Sequence, residues 1–151
     1  MKLAHEGLAV TTPRGWDARI FKRQALAGEV TLPVMHAADF PLPAIRGDYG
    51  SGAVETMGPN HVFLSLIEFD PSEATTPLFG HERPSRITSG EFGPDRLQRA
   101  LPGQAGAQFF FSDHFGSISR PFCLYVVIGS YDGRASLVPR ANGIFQTMEV
   151  N

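Results

Sequence analysis

The sequence predicts a mixed α+β fold in one domain, and two stretches carry that expectation. An unbroken apolar run from Phe122 to Ile128 passes through the turn Gly129 to Gly133 into an amphipathic stretch from Leu137 to Met148. That is the pattern of a buried strand feeding a helix. Val62 to Phe69 is apolar on both faces except at Ser65 and Glu68, which places it centrally in a sheet covered on two sides.

The remaining elements follow in chain order. Gly7 to Pro13 runs into the turn signal Pro13-Arg14-Gly15, and Trp16 to Arg23 alternates with a period of two. Together they predict a first hairpin, with the Trp16 ring packed into the core. Leu32 to Phe40 is a third strand, with Pro33 suited to an edge or a strand start and Pro41 and Pro43 closing it. Three glycines between Arg46 and Gly52 lead into Ala53 to Met57, long enough for about one helical turn before Gly58-Pro59-Asn60. Asp70 to Phe92 carries three prolines and two glycines with no sustained period, the mark of a long connection that is functional or mobile. Pro94 to Leu101 predicts a short helix stopped by Pro102-Gly103, and Ala107 to Phe111 resumes β structure. In the last helix, apolar residues 137, 138, 141, 144, 145 and 148 fall on one stripe, with Ser136 as the expected N-cap and Pro139 in the first turn.

Composition narrows the function classes. At 151 residues the chain can bury roughly two-thirds of its unfolded surface without covalent staples. The formal net charge is −2, and 11 of the 13 basic residues are Arg. No basic excess exists to drive nucleic-acid binding. Cys123 is the single cysteine and lies inside the apolar run, so it reads as a small core residue and no intramolecular disulfide forms. The N-terminus lacks the pattern of a signal peptide, its apolar stretch being broken by His5, Glu6 and Gly7. No stretch approaches eighteen apolar residues. The expectation is a soluble, cytoplasmic protein with no membrane span.

No motif nominates a chemistry. The histidines at 5, 36, 61, 81 and 114 are scattered, outside any paired metal-ligand spacing. The pairs His36 with Asp39, His81 with Glu82, and Asp113 with His114 are the combinations that a site assembled in space would draw on. No nucleophile elbow surrounds a serine. Gly47, Gly50 and Gly52 precede a short helical stretch but match neither phosphate-binding fingerprint. The best candidate binding surface is the loop bearing Phe79, His81, Glu82, Arg83 and Arg86. There forked Arg contacts and an apolar Phe79 anchor suit a partner's surface.

Several segments together resemble a known group. They are TTPRGWDARIF, ADFPLP, GSGAVETMGPNHVFLSLIEF, LQRALPGQAG and RPFCLYVVIGS, followed by the terminal helix. This pattern is similar to an uncharacterised family of actinomycete proteins, and that family to the PsbP-like fold. The resemblance covers most of the chain. It implies a three-layer α/β/α sandwich over residues 1–151, with a central, mostly antiparallel sheet flanked by helices. It also implies a binding or assembly role rather than an enzyme, and no cofactor, metal or catalytic residue carries over.

Three functional expectations result. The first is a non-enzymatic module that binds an unknown protein partner through the 70–92 loop and the glycine-rich turn. The second is a small-molecule-binding or hydrolytic domain using His81, Asp113 and His114. The third is self-association into a homo-oligomer through an exposed sheet edge.

Overall fold

A five-stranded antiparallel sheet forms the centre of the molecule, and its middle strands are those the sequence marks most strongly. The computed structural model describes all residues, 1–151. The strands are β1 (Lys2–His5), β2 (Leu8–Thr11), β3 (Asp17–Phe21), β4 (Val34–Ala38), β5 (Val62–Glu68), β6 (Ala105–Phe115), β7 (Ile118–Ile128) and β8 (Glu149–Val150). A single α-helix, α1 (Arg134–Phe145), lies between β7 and β8. The large sheet has the order β3-β4-β5-β7-β6, and a small sheet has the order β1-β2-β8. Every pairing is antiparallel.

The central pair obeys the expectation for strands covered on both sides. All seven residues of β5 are buried, as are residues 121–128 of β7. Alternation sends Val62, Leu64, Leu66, Leu124, Val126 and Ile128 into one core and Phe63, Tyr125 and Val127 into a second. The first core is closed by α1 through Leu137, Val138, Ala141, Ile144 and Phe145, and by the small sheet through Leu8 and Val10. The second is closed by the chain from Ala38 to Met57, through Phe40, Leu42, Ala53, Val54 and Met57.

The three-layer α/β/α sandwich is therefore not the architecture. The molecule is mostly β, with two antiparallel sheets and one helix. The layer expected to be helical on the second face is turn and loop. Its glycines hold positive φ at Gly50 (85°) and Gly52 (93°), a conformation that ends a helix rather than extends one. Residues 53–56 form successive turns, and Pro94–Arg96 is a single 3-10 turn in place of the expected helix.

Other departures have local causes. The first hairpin is β1 with β2, closed at Glu6 and Gly7, which both have positive φ. β3 instead pairs with β4 in the other sheet. Trp16 is half-buried and packs against the first core from the link between the sheets. β4 lies inside the sheet and not at its edge, and Pro33 immediately precedes it, its carbonyl accepting from the Glu68 amide. The helix begins at Arg134, with Gly133 at the cap. Pro139 thus falls in its second turn and removes one intrahelical bond.

β6 and β7 outrun β5, whose last partner is Phe122. Pro121 sits just beyond that point, so its missing N–H is not needed by β5, while its carbonyl still accepts from Phe69. At the same end Arg120 forms two bonds to the Glu68 carboxylate, at 2.9 and 2.7 Å, and one to the Asn151 carbonyl at 2.8 Å. With the Arg120 guanidinium over the Phe122 ring at 5.5 Å and a further contact to the Gly7 carbonyl, this largely buried pair fastens the small sheet to the large one. Hydrogen bonding to Glu68 raises the Arg120 pKa, so the guanidinium is held charged.

Candidate functional site

The segment expected to bind a partner is ordered by a crossing of the β6 edge. Asp70 caps a 3-10 turn over Pro71–Thr75, a second turn covers Pro77–Phe79, and a third covers Ser89–Glu91 inside a capping box of Thr88 and Glu91. Phe79 is 2 % exposed. It packs against Phe69 and Phe110, with ring centroids at 5.1 and 5.6 Å, and its carbonyl accepts the Ser112 hydroxyl. The expected exposed anchor is thus a plug on the sheet.

Arg83 is likewise committed to the fold. It donates to the carbonyls of Met148 and Phe145 at the end of α1, at 2.6 and 3.4 Å, and lies over the Phe145 ring at 4.8 Å. A cation there complements the carbonyls that a helix C-terminus leaves free. Asp113 stands 3.7 Å from Arg83. Burial pushes the Asp113 carboxyl above the usual range, against the opposing pull of Arg83, Arg120 and His114. His81, Glu82 and Arg86 remain exposed.

The histidines do not assemble. Asp113 and His114 are consecutive in β6 and project from opposite faces of it. His114 Nδ1 meets the Ser119 hydroxyl at 2.8 Å. The His81, Asp113 and His114 grouping is therefore not formed, and no cluster of three His, Cys, Asp or Glu side chains with metal-binding geometry occurs. His36 is fully buried between Phe21 and Phe63. Its Nε2 donates to the Asp48 carbonyl at 2.8 Å and its Nδ1 accepts from Arg46 Nε at 3.0 Å. Both nitrogens are engaged and the ring is neutral, burial having pushed its pKa down to about 4.

The same Asp48 carbonyl accepts the Ser65 hydroxyl at 2.6 Å. The glycine-rich turn is thus bolted to the sheet, and the amides of Gly50, Ala53 and Val54 bond back to Gly47 or Gly50. Those three amides are taken up inside the turn and are not offered to a phosphate. Cys123 is buried as expected, and burial pushes its thiol up to about 12, with Tyr49 as its hydroxyl neighbour. It is not a nucleophile at neutral pH.

What the crossing leaves open is a groove of about 360 Å³, lined by Leu78, His81, Glu82, Pro84, Gln108 and Phe110, together with Phe109. It lies along the outer edge of β6. The crossing chain pairs with that edge at two points only. Ser112 donates to the His81 carbonyl, and Gly106 exchanges both bonds with Gly93. Outward-facing residues alternate in an antiparallel strand. Gln108 and Phe110, between those two points, therefore also direct their N–H and C=O groups outward, and the chain supplies them no partner. Leu78, 52 % exposed, stands beside them.

His81 and Glu82 are the members of the expected surface that line this groove. Leu78, Gln108 and Phe110 were not anticipated. The readable signal was Gln108, one polar residue in the apolar stretch from Ala107 to Phe111, which suits the edge of a sheet better than its middle. No helix of the structure is long and apolar enough to cross a membrane. Comparison of the chain with family models, with curated proteins and with solved structures finds no match in any of the three.

Proposed function

We propose that the protein is a non-catalytic interaction module that takes up an extended segment of a partner protein along the open edge of β6. One observation carries the reading: the unpaired main-chain groups of Gln108 and Phe110, beside a groove with an exposed leucine. Edge N–H and C=O groups template a further strand, giving affinity through the main chain and specificity through side-chain pockets. The window spans the interval between Gly106 and Ser112, so the partner segment is short. Its apolar side chain lies against Leu78 and Phe110, and Glu82 at the rim favours a basic neighbour in the partner.

The test is selection of binders from a library of displayed random peptides, followed by amide chemical-shift mapping. Selected peptides are expected to shift the Gln108 and Phe110 amides and to lose affinity at least tenfold against Gln108→Pro, which deletes an outward N–H at an edge that tolerates proline. An unchanged melting temperature in that variant confirms that the fold is intact. Peptides that map elsewhere, or that bind the proline variant equally well, overturn the reading. Concentration-dependent dimerisation abolished by the same substitution replaces the foreign segment with a second copy of this chain.

A further inference from the structure

One end of the large sheet carries two turns built alike. Phe21 and Val34 are direct cross-strand partners, so the twelve residues that link them leave the sheet and return to it at one place. Residues 22–28 of that link are all exposed, and the Glu29 amide closes a turn on the Leu26 carbonyl at 2.9 Å. The β6–β7 hairpin ends on the same side of the sheet, because Val34 pairs with Ile67 and the next residue, Glu68, pairs with Phe122. It runs four residues past Phe122, about 13 Å, to the pair Phe115 and Ile118, with Gly116 and Ser117 between them. Each turn is flanked by two apolar side chains, Leu26 and Val30 on the link and Phe115 and Ile118 on the hairpin, and the four are between 40 % and 82 % exposed.

Four of the seven large apolar side chains that the molecule exposes are thus gathered at this end. Scattered singly they would need no explanation, but paired at the tips of two projections they form a two-pronged apolar surface. The strand order sets the two prongs three strand spacings apart, about 14 Å. A folded partner would need two apolar pockets at that separation, whereas a fluid hydrocarbon layer receives each prong without matching its shape. The cations around the prongs are already paired, Lys22 with Glu6 at 3.0 Å, Arg23 with Glu29 at 3.2 Å and Arg120 with Glu68 at 2.7 Å. They offer no uncompensated positive charge to an anionic surface.

We infer that this end of the molecule docks on a lipid surface of zwitterionic headgroups, with Leu26, Val30, Phe115 and Ile118 entering the boundary between headgroups and acyl chains. The contact is peripheral and made by side chains, so the polar main chain of both turns stays at the hydrated headgroup level. It shares no residue with the groove beside β6 and does not rest on that reading, so either survives the failure of the other.

Flotation of the intact protein with vesicles of pure phosphatidylcholine tests the assignment. Binding is expected, and to the same extent at low and at high salt, because apolar insertion is not screened. Phe115→Asp and Leu26→Asp, both at exposed positions, are each expected to weaken partitioning about tenfold or more by withdrawing one large apolar side chain from the layer, with the melting temperature unchanged. Should either variant unfold, broadening of the Gly28 and Gly116 amides by spin-labelled phosphatidylcholine in the unmodified protein decides the location. Absence of flotation, binding that requires phosphatidylserine and vanishes with salt, full binding by both variants, or broadening centred elsewhere each overturn the assignment. Self-association that Phe115→Asp abolishes, without flotation, overturns it too and gives the prongs to a second copy of this chain.

Discussion

The two faces of the five-stranded sheet are built to different standards. The face under α1 and the small sheet is closed by a cluster of 22 buried apolar residues, against nine on the face under the 38–57 chain. Covered by a regular helix, the first has side chains at a fixed pitch, so ridges and grooves interlock, and clefts are found along the flanks of α1, against Trp16 on one side and against Ile87 on another. The second is covered by turns that offer side chains at irregular spacing. It admits a buried histidine, a buried serine, a buried glutamine and an open cleft. Regular cover produces stability, and irregular cover leaves room for recognition.

Truncating one leucine on each face breaks or upholds this comparison most directly. Leu137, 1 % exposed, projects from α1 into the first core, and Leu42, 6 % exposed, projects from the loop cover into the second. Leu137→Ala is expected to cost about 4 kcal/mol and Leu42→Ala about 2 kcal/mol, within the range for such deletions, because a loop collapses around the lost volume more readily than a helix. Chemical denaturation at equilibrium measures both. Equal losses would mean that the two covers are equally rigid.

Acid sharpens the contrast, since the buried histidine lies on the loop-covered face. Above pH 6.5 the His36 ring is neutral in both the folded and the unfolded chain. As the pH falls from 6.5 towards 4, the unfolded chain takes up a proton that the folded ring refuses, its pKa being held at about 4 first by burial, then by Arg46, against the Asp48 carbonyl. Stability therefore drops across that window, by about 3 kcal/mol when complete, and the slope ends below pH 4 where both forms are protonated. Asp113 acts in the opposite direction, because its raised carboxyl returns stability as it protonates. His36→Gln isolates the effect: thermal unfolding from pH 7 to pH 4 is expected to fall less steeply in that variant. Parallel profiles would remove His36 as the acid-sensitive group.

The same asymmetry governs what was legible in the sequence. β5, β7 and α1 were visible because a buried strand or an amphipathic helix writes its period into adjacent residues. The cover of the second face was misread as helical. Ala53 to Met57 has helix-compatible residues, but positive φ at Gly50 and Gly52 is a property of the folded turn that composition does not encode. Phe79 and Arg83 looked like surface anchors because aromatic and guanidinium groups serve partners and cores equally well. Only the contacts to Phe110 and to the end of α1 separate the two. Gln104 gave no signal, since the bond that holds it inside is made to a residue 50 positions away, Val54.

The smallest effect tests whether the two faces are energetically separate. Gly143 lies on the exposed side of α1, and a Cβ built there meets nothing within 4 Å. Its φ is not positive, so alanine fits the helix already present. Gly143→Ala is expected to stabilise the protein by about 1 kcal/mol through helix propensity alone. Because the gain accrues to the helical cover, the cost of Leu42→Ala on the other face should be the same in the Gly143→Ala background, as is usual for sites without shared partners. If stiffening α1 instead changes the cost of Leu42→Ala, the sheet transmits packing from one face to the other, and the division into a stabilising side and a receptive side fails.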